Sequence, residues 1–168
     1  MTTSVAIPPP RPSKAGQAHL HVVSFRLGAE TYAVELSRTK EICLADDITQ
    51  VLFMPSYVDG VINLRGQILP IIDLRKRFNV GVATFNLDTH ILVAHVAGSL
   101  IGLVVDTVST ILRIPSEALL PPPETSISVI GAPTAGVAHT DDGLLLLLDI
   151  DHILSVDEQA QISKVNFN

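Results

Sequence analysis

From His19 onward the chain is written in short apolar runs, each stopped by a turn signal, and that rhythm limits it to an architecture of many short β-strands. A helix of ordinary length would need its apolar positions to recur over about three turns, and few stretches here do so. His21–Leu27 and Tyr32–Leu36 flank Gly28-Ala29-Glu30 and read as a hairpin. Val61–Leu64 and Gln67–Asp73 flank Arg65-Gly66, where the glycine supplies the positive φ of a tight connection, so a second hairpin is expected. Pro70 has no amide to give to a ladder. Its strand therefore lies at a sheet edge or has its amide side unpaired at that point.

Further apolar runs are Ile48–Met54, stopped by Pro55 and a loop over Tyr57–Gly60, then Thr89–Val96, Leu100–Val105, Val108–Ile114, Val137–Thr140 and Leu144–Asp149. Pro121-Pro122-Pro123 marks a loop and Asp141-Asp142-Gly143 a turn. The total of about ten strands suits two five-stranded barrels better than one open sheet. Three short helices are expected. Ser37 is positioned to cap one through Cys43, because Arg38, Lys40 and Glu41 are good helix formers. Leu74–Phe78 makes a helical turn, and Ile150–Ile162 closes the fold with Ile150, Ile153, Leu154 and Ile162 on its apolar stripe and Asp157 and Glu158 facing water.

Residues 1–18 hold Pro8, Pro9, Pro10 and Pro12 with little apolar matter, which predicts a flexible arm. The folded unit is expected over 19–156, and 157–168 form the end of the closing helix and a tail. Acidic residues outnumber Lys plus Arg by 17 to 11, for a net charge of −6, and no basic run occurs. Nucleic-acid binding is disfavoured on that ground. Apolar residues make up 47% and charged residues only 17%, so burial is extensive or some apolar surface awaits a partner. A lone cysteine, Cys43, and an N-terminus without secretory layout point to the reducing cytoplasm. Ile91–Val105 is shorter than the ~20 residues of a membrane-crossing helix and is broken at Ala97-Gly98-Ser99, so no membrane insertion is expected.

Asp73, Asp106 and Asp149 each end an apolar run. Converging carboxylates would suggest acid–base or metal chemistry, but Asp at a strand end more often satisfies a turn or caps a helix, and that reading is preferred. His152 beside Asp149 and Asp151 has no nucleophile motif near it. His19-x-His21 lacks the companion spacing of a metal site, and no glycine loop follows a strand to cradle phosphate, so neither metal nor cofactor is expected. Cys43, between Ile42 and Leu44, reads as a small core residue. Arg65 is the lone cation of an apolar stretch, and two readings stay open for it: a solvated turn charge, or a docking residue whose planar fork and apolar stem suit an interface.

Gly60-Val-Ile-Asn-Leu-Arg-Gly66 followed by Ile68-Leu-Pro-Ile-Ile-Asp-Leu-Arg75 closely resembles the signature of the CheW-like family, the coupling proteins of bacterial chemotaxis. The likeness continues upstream in Phe25-Arg-Leu-Gly, Tyr32-Ala-Val-Glu-Leu and Lys40-Glu41-Ile42. Downstream it runs through Ile101-Gly-Leu-Val-Val-Asp-Thr-Val108, Leu119 with Pro121-Pro122, and Leu148-Asp149-Ile150. The resemblance implies a mainly β fold of two intertwined five-stranded barrels sharing a hydrophobic core, with no catalysis. It also implies simultaneous contact with the regulatory domain of a CheA-type histidine kinase and with the cytoplasmic tip of a methyl-accepting chemoreceptor, in the cytoplasm and recruited to membrane-associated receptor arrays. Carried onto matching positions, the receptor-facing groove includes Thr39, Glu41, Gly60, Arg65, Gly102, Val108 and Ile111, and the kinase-facing barrel presents Val23 and Leu36. Thr39 stands where the family often has an aliphatic residue, and the proline-rich arm is longer than the family needs. Competing readings are the same adaptor in another chemosensory system, such as one for pilus-based motility, and a small ligand-binding barrel using Asp73, Asp106 or Asp149.

Overall fold

The computed structural model describes residues 4–6, 18–80, 84–122, 132–141 and 143–163. Its strands are β1 (Ser4–Ala6), β2 (His19–Leu27), β3 (Glu30–Glu35), β4 (Thr39–Leu44), β5 (Val58–Leu64), β6 (Gln67–Asp73), β7 (His90–Val96), β8 (Ser99–Val105), β9 (Thr107–Pro115), β10 (Thr134–Thr140) and β11 (Gly143–Leu148). The α-helices are α1 (Leu74–Phe78) and α2 (Val156–Ser163), and single 3-10 turns cover Leu36–Arg38, Ser116–Ala118 and Ile150–His152.

The strands form two sheets, ordered β1-β4-β7-β8-β6-β5 and β10-β11-β3-β2-β9. Leaving β1 aside, each sheet repeats one plan. A hairpin (β7–β8 or β2–β3) lies beside a second hairpin (β5–β6 or β10–β11) through one parallel ladder, β6 with β8 and β11 with β3. After β3 the chain crosses to pair β4 with β7 of the other sheet, and after β8 it crosses back to pair β9 with β2. This exchange intertwines the two units. The ladders themselves do not close among the described residues. Instead the segment after β4 bridges to β5 at Thr49 and Val61, and the segment after β9 bridges to β10 at Leu120 and Val137, curling each sheet toward a barrel.

The inner strands of each sheet are buried on both faces, which explains why so many strands read as unbroken apolar runs. The main core lies between the sheets and joins Val23, Phe25, Tyr32, Val34 and Leu148 of one to Ile72, Leu92, Ile101, Leu103 and Val105 of the other, with Ile150, Ile153, Leu154 and Ile162 closing one end. Each sheet also has its own inner cluster, Cys43, Ile62, Leu69, Ile71, Ile91, Val93 and Val104 in the first and Val22, Ala33, Ile114, Ala138, Leu145 and Leu147 in the second.

The two hairpins, the later strands and the helical turn at Leu74 stand as read from the sequence. Four local expectations are corrected. Ser37–Cys43 is not a helix: a 3-10 turn at Leu36–Arg38 leads into β4, which alternates buried Thr39, Glu41 and Cys43 with outward Lys40 and Leu44. Pairing with β7 overrides the helix propensity of its charged residues. Ile48–Met54 is not a strand either. Apart from the Thr49 bridge it is a loop, with Phe53 in the left-handed region at φ 65°.

The closing helix is broken at Ser155, where a capping box forms: the Glu158 N–H donates to Ser155 Oγ (3.1 Å) and the Ser155 N–H donates to Glu158 Oε1 (2.8 Å). Its apolar stripe is buried as expected, but Glu158 does not simply face water. It also accepts from Tyr57 Oη (2.8 Å) and Arg77 Nη2 (2.9 Å). Burial pushes the Glu158 carboxyl up, and the bonds from Ser155, Tyr57 and Arg77 outweigh it and hold the group below its ordinary range. Ser155→Ala is expected to cost about 1 kcal/mol, read as a lowered thermal midpoint with the β signal intact.

The arm is not uniformly without structure, since Ser4–Ala6 adds to the edge of β4. The rest of it (1–3 and 7–17), Pro123, Asp142 and the tail 164–168 lie outside the described residues. For Pro70 the second alternative holds. Its strand is interior, but the parallel ladder with β8 begins only at Ile71, so no β8 carbonyl is paired to the missing amide.

Candidate docking site

One row of directly paired residues crosses the first sheet: Glu41 beside Val93, Val93 beside Gly102, Gly102 beside Ile71, Ile71 beside Gly60. Three of the positions singled out in the sequence therefore share a single register line. Thr39 precedes this row across an irregularity in β4, with its hydroxyl donating to the Glu35 carbonyl (3.1 Å). At Gly102 the missing side chain is filled by the ends of Ile71 and Ile91, which a Cβ would approach to 2.4 and 2.8 Å.

Arg65 reaches this row from the β5–β6 turn. Both turn residues have positive φ, 53° at Arg65 and 86° at Gly66, and the Gly66 N–H donates to Asn63 Oδ1 (2.8 Å), the arrangement that suits a two-residue hairpin. An arginine in this region is strained by about 1 kcal/mol. From there its guanidinium donates two bonds to Glu41, Nη1 to Oε1 at 2.8 Å and Nη2 to Oε2 at 3.2 Å. The pair is asymmetric, with 2% of the Glu41 side chain exposed against 64% of Arg65. Glu41 is thus a carboxylate sunk beside an apolar cluster, and Arg65 is the cation that covers it while presenting its outer face to solvent. Reading Arg65 as an isolated turn charge missed this partner, which lies 24 residues earlier and is brought near only by the curl of the sheet. Cys43, two residues along the same face, is buried as expected, and burial with the negative charge of Glu41 pushes its thiol up to about 11.

The remaining positions lie elsewhere. Val108 and Ile111 are on β9, the outer strand of the second sheet, with Ile111 43% exposed. Val23 stands directly beside Ile111 in register, yet its side chain is fully buried, as is nearly all of Leu36. Val23 occupies an inward position of β2 and Leu36 opens the 3-10 turn after β3; both face the main core, so neither offers its side chain to the surface. Strand alternation decides which face Val23 occupies, and a matched position carries no information about depth.

Asp73 and Asp106 do converge, on a cation. Arg75, almost wholly buried, donates from Nε and Nη2 to both oxygens of Asp73 (3.0 Å each) and from Nη1 to Asp106 Oδ1 (3.0 Å) and the Thr84 carbonyl (2.6 Å). Asp73 also caps α1 by accepting the Arg75 N–H, and Asp106 accepts the Gly28 N–H (2.7 Å) at the β2–β3 turn. Burial alone would push the Arg75 pKa down; the two carboxylates reverse this and raise it. Asp149 is remote from that group and bonds to exposed His152 (2.8 Å). His19 Nδ1 lies 3.3 Å from Arg113 Nη2. Among the described residues, no group of three or more His, Cys, Asp or Glu has the geometry to hold a metal ion. Nor is any described helix long and apolar enough to cross a membrane.

Several large apolar side chains are exposed among the described residues. Leu52 and Phe53 protrude from the loop after β4, at 78% and 98% exposure, and Ile68 and Leu44 are partly exposed.

The family model for the CheW-like domain matches residues 21–158. Among curated proteins, the chain is 33% identical over 141 residues to the chemotaxis protein CheW of Klebsiella aerogenes, covering 84% of this chain and 85% of that one. It is also 33% identical over 138 residues to the chemotaxis protein CheW of Helicobacter pylori, covering 82% and 83%. Over 99 residues it is 33% identical to Protein FrzA of Myxococcus xanthus, 59% of this chain and 62% of the relative. Among solved structures, the scaffolding protein TtCheW from Thermoanaerobacter tengcongensis superposes with a TM-score of 0.77 at 30% identity, covering 84% of this chain and 96% of that one.

Proposed function

The chain belongs to the CheW-like domain family, and from that premise we propose that it is a non-enzymatic cytoplasmic adaptor that couples chemoreceptors to a CheA-type histidine kinase. The observation that carries this reading is the family match across residues 21–158, nearly all of the two intertwined units. The receptor-facing surface is assigned to the end of the first sheet where Arg65 covers Glu41, with Thr39, Gly60 and Gly102 shaping the strands beneath it, and to Val108 and Ile111 of β9. The kinase is assigned to the second sheet. There Val23 and Leu36 act by setting the position of β2 and of the turn after β3, since their side chains are internal. The carboxylates of Asp73 and Glu41 are each engaged by an arginine, Arg75 and Arg65, which supports a scaffold rather than a reaction centre.

Titration of the protein against the regulatory domain of a CheA-type kinase from the same cell tests the premise. Binding with a micromolar or tighter dissociation constant, about −8 kcal/mol, is expected. No binding by folded protein would remove the kinase from the reading. A second reading, the same adaptor serving a chemosensory system for another form of motility, is favoured by the match to FrzA, a relative with a different name from the others. Receptors drawn from each system, titrated in parallel, separate the two.

Arg65 needs a test that separates docking from support of Glu41. Arg65→Gln alone leaves a buried carboxylate without its cation and is expected to lose about 1–3 kcal/mol of stability. The double variant Glu41→Gln, Arg65→Gln removes both charges and keeps amide hydrogen bonding, so stability should return toward the parent value. If Arg65 docks, the double variant still binds receptor about tenfold or more weakly, a loss of about 1.4 kcal/mol. Recovery of binding together with stability would make the role of Arg65 purely internal.

A further inference from the structure

Strand β1 breaks the symmetry of the fold. The two sheets match strand for strand, and by that correspondence β4 is the counterpart of β9: each crosses from one unit to become the outer strand of the other. Even the irregularities agree, since β4 slips register between Thr39 and Glu41 and β9 slips opposite Ser24 and Phe25. Yet the outer edge of β4 carries an added strand, with Ser4 opposite Cys43, Val5 opposite Ile42 and Ala6 opposite Glu41, while no strand among the described residues pairs with the outer edge of β9.

The cover is also short. Among the described residues it engages Glu41–Cys43 of a strand that runs from Thr39 to Leu44, and the ends of β4 lie outside that described ladder. An exposed edge of this kind is a template for any extended segment. The chain that joins β1 to β2 tethers the strand covalently, which gives it a high effective concentration at its edge. Finally, the ladder ends on Glu41, the residue that Arg65 covers.

We propose that the outer edge of β4 is a strand-docking site whose occupant is the chain's own Ser4–Ala6 segment, and that this occupancy closes the Glu41–Arg65 surface to the receptor. The second half of the proposal rests on the docking role given to that surface above. The strap acts by position: a strand seated along Glu41–Cys43 occupies the flank of the sheet from which that surface is approached, and its release clears it.

The pairing of Ser4 with Cys43 supplies the test. Directly opposed residues of antiparallel strands have Cα atoms about 4.5–5.5 Å apart, within the range a disulfide spans. A Ser4→Cys chain, oxidised while folded, is expected to lose both thiols and remain a monomer on a non-reducing gel, and a Ser4→Cys, Cys43→Ala control is not. With the strap locked, affinity for the receptor tip falls about tenfold or more and returns on reduction, while affinity for the kinase regulatory domain is unchanged. The chain lacking residues 1–17 binds receptor at least as tightly as the parent. No cross-link in folded protein, or a cross-link between two chains instead of within one, overturns the strap. A locked chain that binds receptor as well as its reduced form overturns the gating. If the reduced and parent chains bind neither receptor nor kinase, the adaptor reading fails, and the cross-link alone then decides whether β4 accepts the arm.

Discussion

Arg75→Met is expected to destabilise the fold by about 3–5 kcal/mol, because it strands two carboxylates around a site built for one guanidinium. Asp73 is completely buried and Arg75 nearly so, and the methionine keeps the volume and apolar stem while removing every charge-assisted bond. The loss is not local. Arg75 follows β6, Asp106 begins the crossing from β8 to β9, and the other oxygen of Asp106 holds the Gly28 amide at the β2–β3 turn, so one side chain ties both sheets at the point where the chain passes between them. Arg75 also lies 5.3 Å over the ring of Phe85, pinning the loop before β7. Urea denaturation followed by circular dichroism, the natural probe in a chain without tryptophan, reads the change. Adding Asp73→Asn, which keeps a capping oxygen for α1, should recover part of the loss. A deficit below about 1 kcal/mol for the single variant would mean that water or relaxation replaces the network.

This network marks the boundary of what the sequence makes legible. Strands were readable because most are buried on both sides and so appear as plain apolar runs, and Gly66 announced its turn. β4 was not, although it alternates strictly, because two of its inward residues are Thr39 and Glu41, and a polar residue facing inward looks like a surface residue until its partner is known. That partner, Arg65, belongs to another hairpin. The same long-range pairing joins Asp73, Arg75 and Asp106: each carboxylate was read as a turn or cap residue, which both are, but nothing local announces that a single arginine binds the two. The break before α2 had a local signal in Ser155-x-x-Glu158, overlooked because the apolar stripe continues across it. Composition along the arm identified its prolines but not the three residues that pair with β4, since a strand so short has no periodicity to detect.

The internal correspondence of the two units adds a constraint that neither half displays alone. Bridges at Thr49–Val61 and Leu120–Val137 curl the two sheets in the same way, and each is preceded on the later strand by a glycine, Gly60 and Gly136. At Gly136 a Cβ would come within 3.2 Å of the Leu120 carbonyl oxygen, and at Gly60 within 2.0 Å of that of Thr49. Gly60 is therefore a requirement of its bridge, which brings one backbone across the flank of another too closely for any side chain, whereas at Gly136 the nearest atoms are those of the Leu119 side chain, at 2.9 Å.

Gly60→Ala should accordingly cost about 3–5 kcal/mol, combining about 1–3 kcal/mol for a strained conformation with about 1 kcal/mol for each of two bridge hydrogen bonds. Those bonds run from the Val61 N–H to the Thr49 carbonyl (2.8 Å) and from the Thr49 N–H to the Val61 carbonyl (2.9 Å), and Gly60 itself sits at φ 147°. The obstacle is backbone, which has nowhere to rotate. Gly102→Ala is the instructive contrast: it lies in the same register row, but its Cβ would meet only the ends of the Ile71 and Ile91 side chains, which can change rotamer, so its cost should stay near the overpacking range of about 1–3 kcal/mol. Denaturant midpoints give the ranking, and hydrogen exchange gives the mechanism. If the bridge is what fails in Gly60→Ala, the Thr49 and Val61 amides lose protection ahead of the β7–β8 ladder, and the loop carrying Leu52 and Phe53 loosens with them. Equal costs at Gly60 and Gly102, with protection lost evenly over the sheet, would instead assign both glycines to packing and leave the bridge without a structural role.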